Sequence, residues 1–130
     1  MAEHPNATLM RRAYDAFGAG NLDAMRDLMA EDAVWHEPGT SQIAGDYVGR
    51  DRVFEFFAKL FALSGGTFKA ELIDILADDD RAVAIQHSTA ARNGMSLDTR
   101  DVVVTEIRGG KLFATQLYSA DEHLEDSFWS

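Results

Sequence analysis

The sequence contains no cysteine among its 130 residues. That excludes disulfides, iron–sulfur clusters and thiolate zinc sites. Basic residues are scarce: 12 Lys and Arg stand against 22 Asp and Glu, for a formal net charge of -10. No run of Lys or Arg exists. Nucleic acid is therefore an unsuitable partner, because phosphate binding needs clustered cations, and so is an anionic membrane surface. The acidity favours solubility and says little about a ligand's charge. No stretch approaches the roughly 20 apolar residues of a membrane span. The opening "MAEHPNATLMRR" has no apolar signal core. A soluble, cytoplasmic protein is expected. No glycine motif that cradles phosphate precedes a helix, and no nucleophile motif surrounds a serine or threonine. "HEPGT" is not the zinc pattern HExxH and the four histidines are scattered, so no metal and no cofactor are expected.

What remains is a globular composition, with 46% hydrophobic and 26% charged residues. The length suits one domain over residues 1–130 with one core. No internal repeat or low-complexity linker interrupts it. The first half reads helical. Met10, Ala13, Tyr14 and Phe17 fall on one helical face. "GAGN" breaks that helix, and Asn21 caps a second with Leu22, Met25, Leu28 and Met29 as its stripe. "AEDAVWHEP" is a short strand, and Gly45 and Gly49 bracket a turn. A third helix begins near Arg50, with Val53, Phe56, Phe57 and Leu60 inward.

The second half reads as four antiparallel strands. "TFKAELIDILA" ends at Asp78-Asp79-Asp80, "RAVAIQHSTAAR" at Asn93-Gly94, and "LDTRDVVVTEIR" at Gly109-Gly110, which leads into "KLFATQLYS". Helices first and a strand meander after them predict an α+β fold: three N-terminal helices packed in a strongly curved, mostly antiparallel sheet. Such a cone has a mouth suited to a small apolar ligand.

"AVWHEPG" raises the functional question. A buried strand ends in two ionisable residues, His36 and Glu37, and Pro38 then ends its pairing. Alternation allows two parities. If Glu37 faces the cavity, so does Trp35, which would wall it and desolvate the acid. If His36 faces in, Val34 goes with it. On the later strands, Asp101 stands before "VVV" on a central strand and must be wet, paired or protonated, with Arg92 or Arg100 as possible partners. Gln86 and His87 are neighbours, so one of them faces the cone. Gln116 and Tyr118 share a face and are candidate ligand contacts, as are Phe17, Phe57 and His87.

Several stretches carry a family resemblance: "AYDAFGAGNLDAMRDLMAEDAVWHEPG", "IAGDYVGRD", "GGTFKAELIDILADDD", the strands "LDTRDVVV" and "GGKLFATQLY", and the closing Phe128-Trp129. Over nearly its whole length the chain resembles the SnoaL-like, ketosteroid-isomerase-like branch of the nuclear-transport-factor-2-like superfamily. The resemblance implies the cone, a sheet-to-sheet homodimer and cofactor-free chemistry. It places Glu37 where that family has its general base, normally Asp, and Asp101 where it has a protonated Asp. The family's oxyanion-hole Tyr aligns with Ala13, and Tyr14 is one residue further on. In the limonene-epoxide-hydrolase-like branch an Arg and an Asp stand two apart on one strand. Arg100 and Asp101 are adjacent here, which disfavours that branch.

Three readings follow. The first is an enzyme that isomerises, cyclises or dehydrates a small apolar carbonyl compound. Glu37 would be the base and Asp101, with Tyr14, the oxyanion donor, while His36 is the alternative proton carrier. The second is a non-catalytic binding or carrier protein using the same cavity. The third is an interaction protein using the sheet's outer face. Carboxylates enclosed in an apolar cavity favour the first, and carboxylates tied to Arg92 or Arg100 favour the second.

Overall fold

A computed structural model describes residues 3–130. The elements run α1 (Pro5–Gly18), α2 (Leu22–Leu28), β1 (Met29–Glu37), β2 (Gly45–Val48) and α3 (Arg50–Leu63). They continue with β3 (Lys69–Ala77), β4 (Arg81–Arg92), β5 (Met95–Arg108), β6 (Lys111–Ser119) and α4 (Glu122–Trp129). One six-stranded sheet has the order β2-β1-β6-β5-β4-β3. Among the described residues, only the β1–β6 pairing is parallel. The expected α+β cone is the observed fold. No helix among the described residues is long and apolar enough to cross a membrane.

The alternation of side chains explains how the sheet encloses a core. On β4, Ala82, Ala84, Gln86, Ser88 and Ala90 are buried and the residues between them are not. On β5 the buried set is Leu97, Thr99, Asp101, Val103, Thr105 and Ile107. A period of two means these residues share the concave face. Register shifts in the β1–β6, β3–β4 and β5–β6 pairings mark irregularities of the kind that bend a sheet. The concavity is filled by α1, through Met10, Ala13 and Ala16, and by α3, through Val53, Phe56, Phe57 and Leu60. Phe17 meets Phe57 edge-on at 5.3 Å between ring centroids, which ties the two helices together.

Local chemistry sets the boundaries. The Asn21 side chain accepts a hydrogen bond from the Ala24 amide and caps α2. Asp78 accepts from the amides of Asp80 and Arg81, which tightens the β3–β4 turn. Asn93 and Gly94 both have positive φ, 51° and 77°, and join strands paired at Arg92 and Met95. That is the two-residue hairpin the Asn-Gly pair predicts.

Three details differ from the sequence reading. Residues between Gly45 and Gly49 form the short strand β2 instead of a simple turn, because they pair with the end of β1. Met29 opens β1 instead of closing α2, and Leu22 at the start of α2 is 52% exposed, so the stripe is shorter than predicted. A fourth helix, α4, follows the sheet. Asp121 caps it through the Leu124 amide, and Phe128 and Trp129 bury its end in the core.

Candidate functional site

Inside the cone lies a cavity of about 80 Å³ that opens at a mouth. Concave clefts with apolar walls and a few polar groups are where small molecules bind. Its wall is mostly apolar. Met10 and Phe17 come from α1, Phe56 and Phe57 from α3, and Trp35 from β1. The titratable groups on the wall are Tyr14, Glu37, Asp101 and Glu125. No Lys, Arg or His lines it among the described residues.

Parity on β1 puts Trp35 and Glu37 on the cavity wall. Trp35 stacks at a tilt on Phe56, 5.3 Å away, and donates its indole N–H to the Glu37 carboxylate at 2.9 Å. Burial pushes the Glu37 pKa up to about 8. The Trp35 hydrogen bond opposes that rise, and the charge of Asp101 adds to it. Tyr47, across the sheet on β2, also has a raised pKa, through burial first and the Glu37 charge second.

Asp101 is 2% exposed on β5. The predicted arginine partners do not hold it. Arg92 donates instead to the carbonyls of Phe128 and Ser130, and Arg100 is exposed on the opposite face of β5. Asp101 ends a chain of hydrogen bonds. The Tyr14 hydroxyl donates to Gln86 Oε1 at 2.6 Å, the Gln86 amide donates to Ser88 Oγ at 2.8 Å, and Ser88 donates to Asp101 Oδ2 at 2.6 Å. Asp101 Oδ1 is buried with no hydrogen-bond donor among the described residues. Burial, and then the Asp101 charge, raise the Tyr14 pKa above its ordinary value.

Tyr14, Phe17 and Phe57 line the cavity with Trp35, Glu37 and Asp101. Four other candidates lie elsewhere, and those assignments are corrected. His36 points away from the cavity and pairs with Asp46, its cross-strand neighbour on β2, at 2.6 Å. His87 sits outside with Asp98 at 2.7 Å, because Gln86 takes the inward parity. Gln116 and Tyr118 do share a face, but Thr115 and Leu117 hold the inner one, and Tyr118 is 57% exposed.

Two polar wall residues, Gln86 and Glu125, and the buried Ser88 that links Gln86 to Asp101, escaped the sequence reading or were underweighted. The alternation of small residues on β4 pointed to Gln86 and Ser88. Glu125 stands four residues before the buried Trp129, hence on the same face of α4. Its pKa is raised, first by burial and then by the charge of Asp101.

The segment after Glu37 is held by α4. Asp126 accepts hydrogen bonds from the Thr40 amide at 2.9 Å, the Ser41 amide at 3.2 Å and the Thr40 hydroxyl at 3.3 Å. Gly39 has φ 96°, and a Cβ there would overlap the Asp126 carboxylate. Gly39→Ala is therefore expected to cost roughly 1–3 kcal/mol from backbone strain and a displaced carboxylate. Chemical denaturation checks it, and an unchanged midpoint would count against this account of the latch.

The cone with an acid-bearing apolar cavity defines a class of small-molecule pocket folds, and comparison places the chain within it. The SnoaL-like domain family matches residues 10–115, so the chain belongs to that family, on the nuclear-transport-factor-2-like fold. Bal32a, from a soil-derived mobile gene cassette, is 38% identical, with a TM-score of 0.94 over 97% of each chain. A Xanthomonas campestris protein of unknown function with a cystatin-like fold is 27% identical. It has a TM-score of 0.89 and covers 95% of this chain and 96% of its own. An uncharacterized protein of Mycobacterium tuberculosis (strain ATCC 25618 / H37Rv) is 29% identical over 100% of both chains.

Proposed function

We propose that the cavity binds a small, largely apolar carbonyl compound and moves a proton on it. Glu37 acts as the base, and Asp101 faces the oxygen on which charge develops. The observation that carries this reading is the environment of Glu37. Its carboxylate lines an apolar cavity, has one indole donor, and has its pKa pushed up to about 8 by burial. A carboxylate raised that far is a stronger base than one in water, and its pKa lies close to neutral pH, where general-base catalysis is efficient. Isomerisation, cyclisation and dehydration beside a carbonyl all begin with such a proton transfer. Tyr14 supports Asp101 through Gln86 and Ser88 in this scheme, and does not itself meet the ligand oxygen, because its proton is given to Gln86.

The probe is 5-nitrobenzisoxazole. A base removes its carbon-bound proton, the N–O bond breaks, and the ring opens to a nitrile and a phenolate. The rate should rise about tenfold per pH unit below about 8 and level off above it, because only ionised Glu37 acts. A rate equal to that of free carboxylate in buffer would sink the catalytic reading.

A binding or carrier role uses the same cavity. The commitment of the Tyr14 hydroxyl to Gln86 favours it, since one expected oxyanion donor is then spent. Tight uptake of an apolar ketone without any ring opening of the probe would select this reading.

A homodimer formed through the convex face belongs to the same proposal. That face carries Val83, Ile85, Val102 and Val104, none fully buried, and Leu76 is 61% exposed. Apolar sheet faces of this kind are seldom left in water. Sedimentation at micromolar concentration should give twice the 14.4 kDa of one chain, and a mass of 14.4 kDa would contradict the dimer.

A further inference from the structure

We propose that Trp35 is a positioning residue for the proton transfer: its indole N–H fixes Glu37 Oε1 and leaves Oε2 as the oxygen that takes the ligand's proton. The part played in turnover rests on Glu37 being the base, whereas the fixing of the carboxylate does not.

A glutamate at a strand end is poorly placed to hold a base still. Glu37 is the last residue of β1, and Pro38 follows it. On the β6 side the pairing stops one residue earlier, where His36 meets Gln116. Several side-chain torsions then separate the backbone from the carboxylate. A base acts well only when its oxygen stays in a narrow range of positions relative to the proton it removes. The restraint must come from another side chain.

Trp35 has the geometry to supply it. Side chains two residues apart on a strand share a face, with Cα atoms about 6.6 Å apart. The indole spans that gap and donates to Glu37 Oε1 at 2.9 Å. Among the described residues the carboxylate has no second donor. The donor is itself held. Trp35 pairs with Tyr47 on β2 and with Thr115 on β6, so its backbone is flanked on both sides. Its ring centroid lies 5.3 Å from that of Phe56, at a tilt, and 5.5 Å from that of Phe57, edge-on. An N–H on a ring locked by packing is a donor of fixed direction.

Two roles for this bond predict opposite effects. A donor bonds a carboxylate more strongly than a carboxylic acid, so the indole holds the Glu37 pKa below the level that burial alone would set. If that were its whole role, removing the N–H would make Glu37 a stronger base and raise the plateau rate. If the indole positions the carboxylate, the plateau falls even though the base is stronger. The other titratable groups around Glu37 are Asp101 from β5, Tyr47 from β2, Glu125 from α4 and, on the same cavity wall, Tyr14 from α1. All of them stay in place when only the indole nitrogen is changed.

The test changes that one atom in the full chain. Trp35→3-benzothienylalanine keeps the fused ring and puts sulfur where the N–H was. In the wild type, the proton resonance of the Trp35 indole N–H should shift with pH at the same midpoint as the Glu37 carboxyl carbon. Glu37→Gln should abolish that shift. An indole resonance that does not follow Glu37 overturns the proposal. In the Trp35 variant, checked for folding by circular dichroism, the Glu37 midpoint should move above about 8. The plateau kcat for 5-nitrobenzisoxazole should fall by at least about tenfold, the scale of a misplaced reacting group. KM should stay within about twofold, because the cavity wall is kept. A plateau that is unchanged or higher overturns the positioning role. Failure of the wild type to open the probe strikes the base reading alone, and the indole resonance then still decides whether Trp35 fixes the carboxylate.

Discussion

Replacing Glu37 with Gln is expected to reduce ring opening of 5-nitrobenzisoxazole by roughly two to four orders of magnitude, the usual scale for a lost general base. It should also make the protein more stable at neutral pH. Gln keeps an oxygen that accepts the Trp35 N–H, so the local shape is retained. The stability effect follows from linkage. The folded pKa of Glu37 is about 8, against 4.5 for an ordinary glutamate. Between these values the folded state holds a proton that the unfolded state has released, so stability falls as pH rises. The favourable contribution is complete below about 4.5 and gone above about 8. Gln carries no such cost. The variant should therefore match the wild type near pH 4 and exceed it by about 3.5 kcal/mol at pH 7, from about 2.5 pH units at about 1.4 kcal/mol each. For a chain of this size that corresponds to a melting temperature higher by roughly 10 °C. A loss of activity without this pH-dependent gain in stability would mean that Glu37 is not buried as its contacts indicate. A gain in stability with unaltered turnover would refute its role as base and leave its burial intact.

How much of this was legible beforehand depends on the kind of signal. Turn chemistry was local and therefore readable: Asn93-Gly94 and Gly109-Gly110 each need positive φ, and both adopt it. Alternation was readable as well, but only as relative information. It says that Gln116 and Tyr118 share a face, not which side of the sheet that face is on. The side is set by what packs there, and Thr115 and Leu117 hold the inner one. The same limit left His36 and Glu37 open. The β1–β6 register shifts between Met29 and Val34, so parity cannot be counted through that part of β1 from the sequence alone. The strand β2 was hidden for another reason. The four residues Gly45–Val48, closed by Gly49, read as a turn until a partner strand is present to pair them. Glu125 sits in "DEHLEDSFW", which has the composition of a solvated terminal helix. Only the burial of Trp129 fixes which face of that helix turns inward, and that burial is tertiary information.

The aromatic wall beside Glu37 supplies the second large effect. Phe56 on α3 is 1% exposed. Its ring lies 5.3 Å from Trp35, 4.8 Å from Tyr47 and 5.8 Å from Phe57. Phe56→Ala is expected to destabilise the fold by about 3–5 kcal/mol, the cost of deleting a buried phenyl ring that its neighbours cannot replace. The melting temperature should fall by roughly 10–15 °C. The consequence for the site is a separate and sharper test. Phe56 borders the existing cavity, so its loss joins new space to that cavity and admits water beside Trp35 and Glu37. Desolvation is the leading cause of the raised Glu37 pKa, and hydration removes it. The titration of Glu37, followed by carboxyl-carbon NMR, should move down from about 8 toward the ordinary carboxylate range. The pH–rate profile of the probe should move down with it. The variant should then reach its plateau at lower pH but at a lower height, because a better-solvated carboxylate is a weaker base. A fall in melting temperature with the Glu37 titration unmoved would show that the Phe56 ring supports the fold without keeping the acid dry, and the cause of the raised pKa would have to be sought in the neighbouring charge of Asp101.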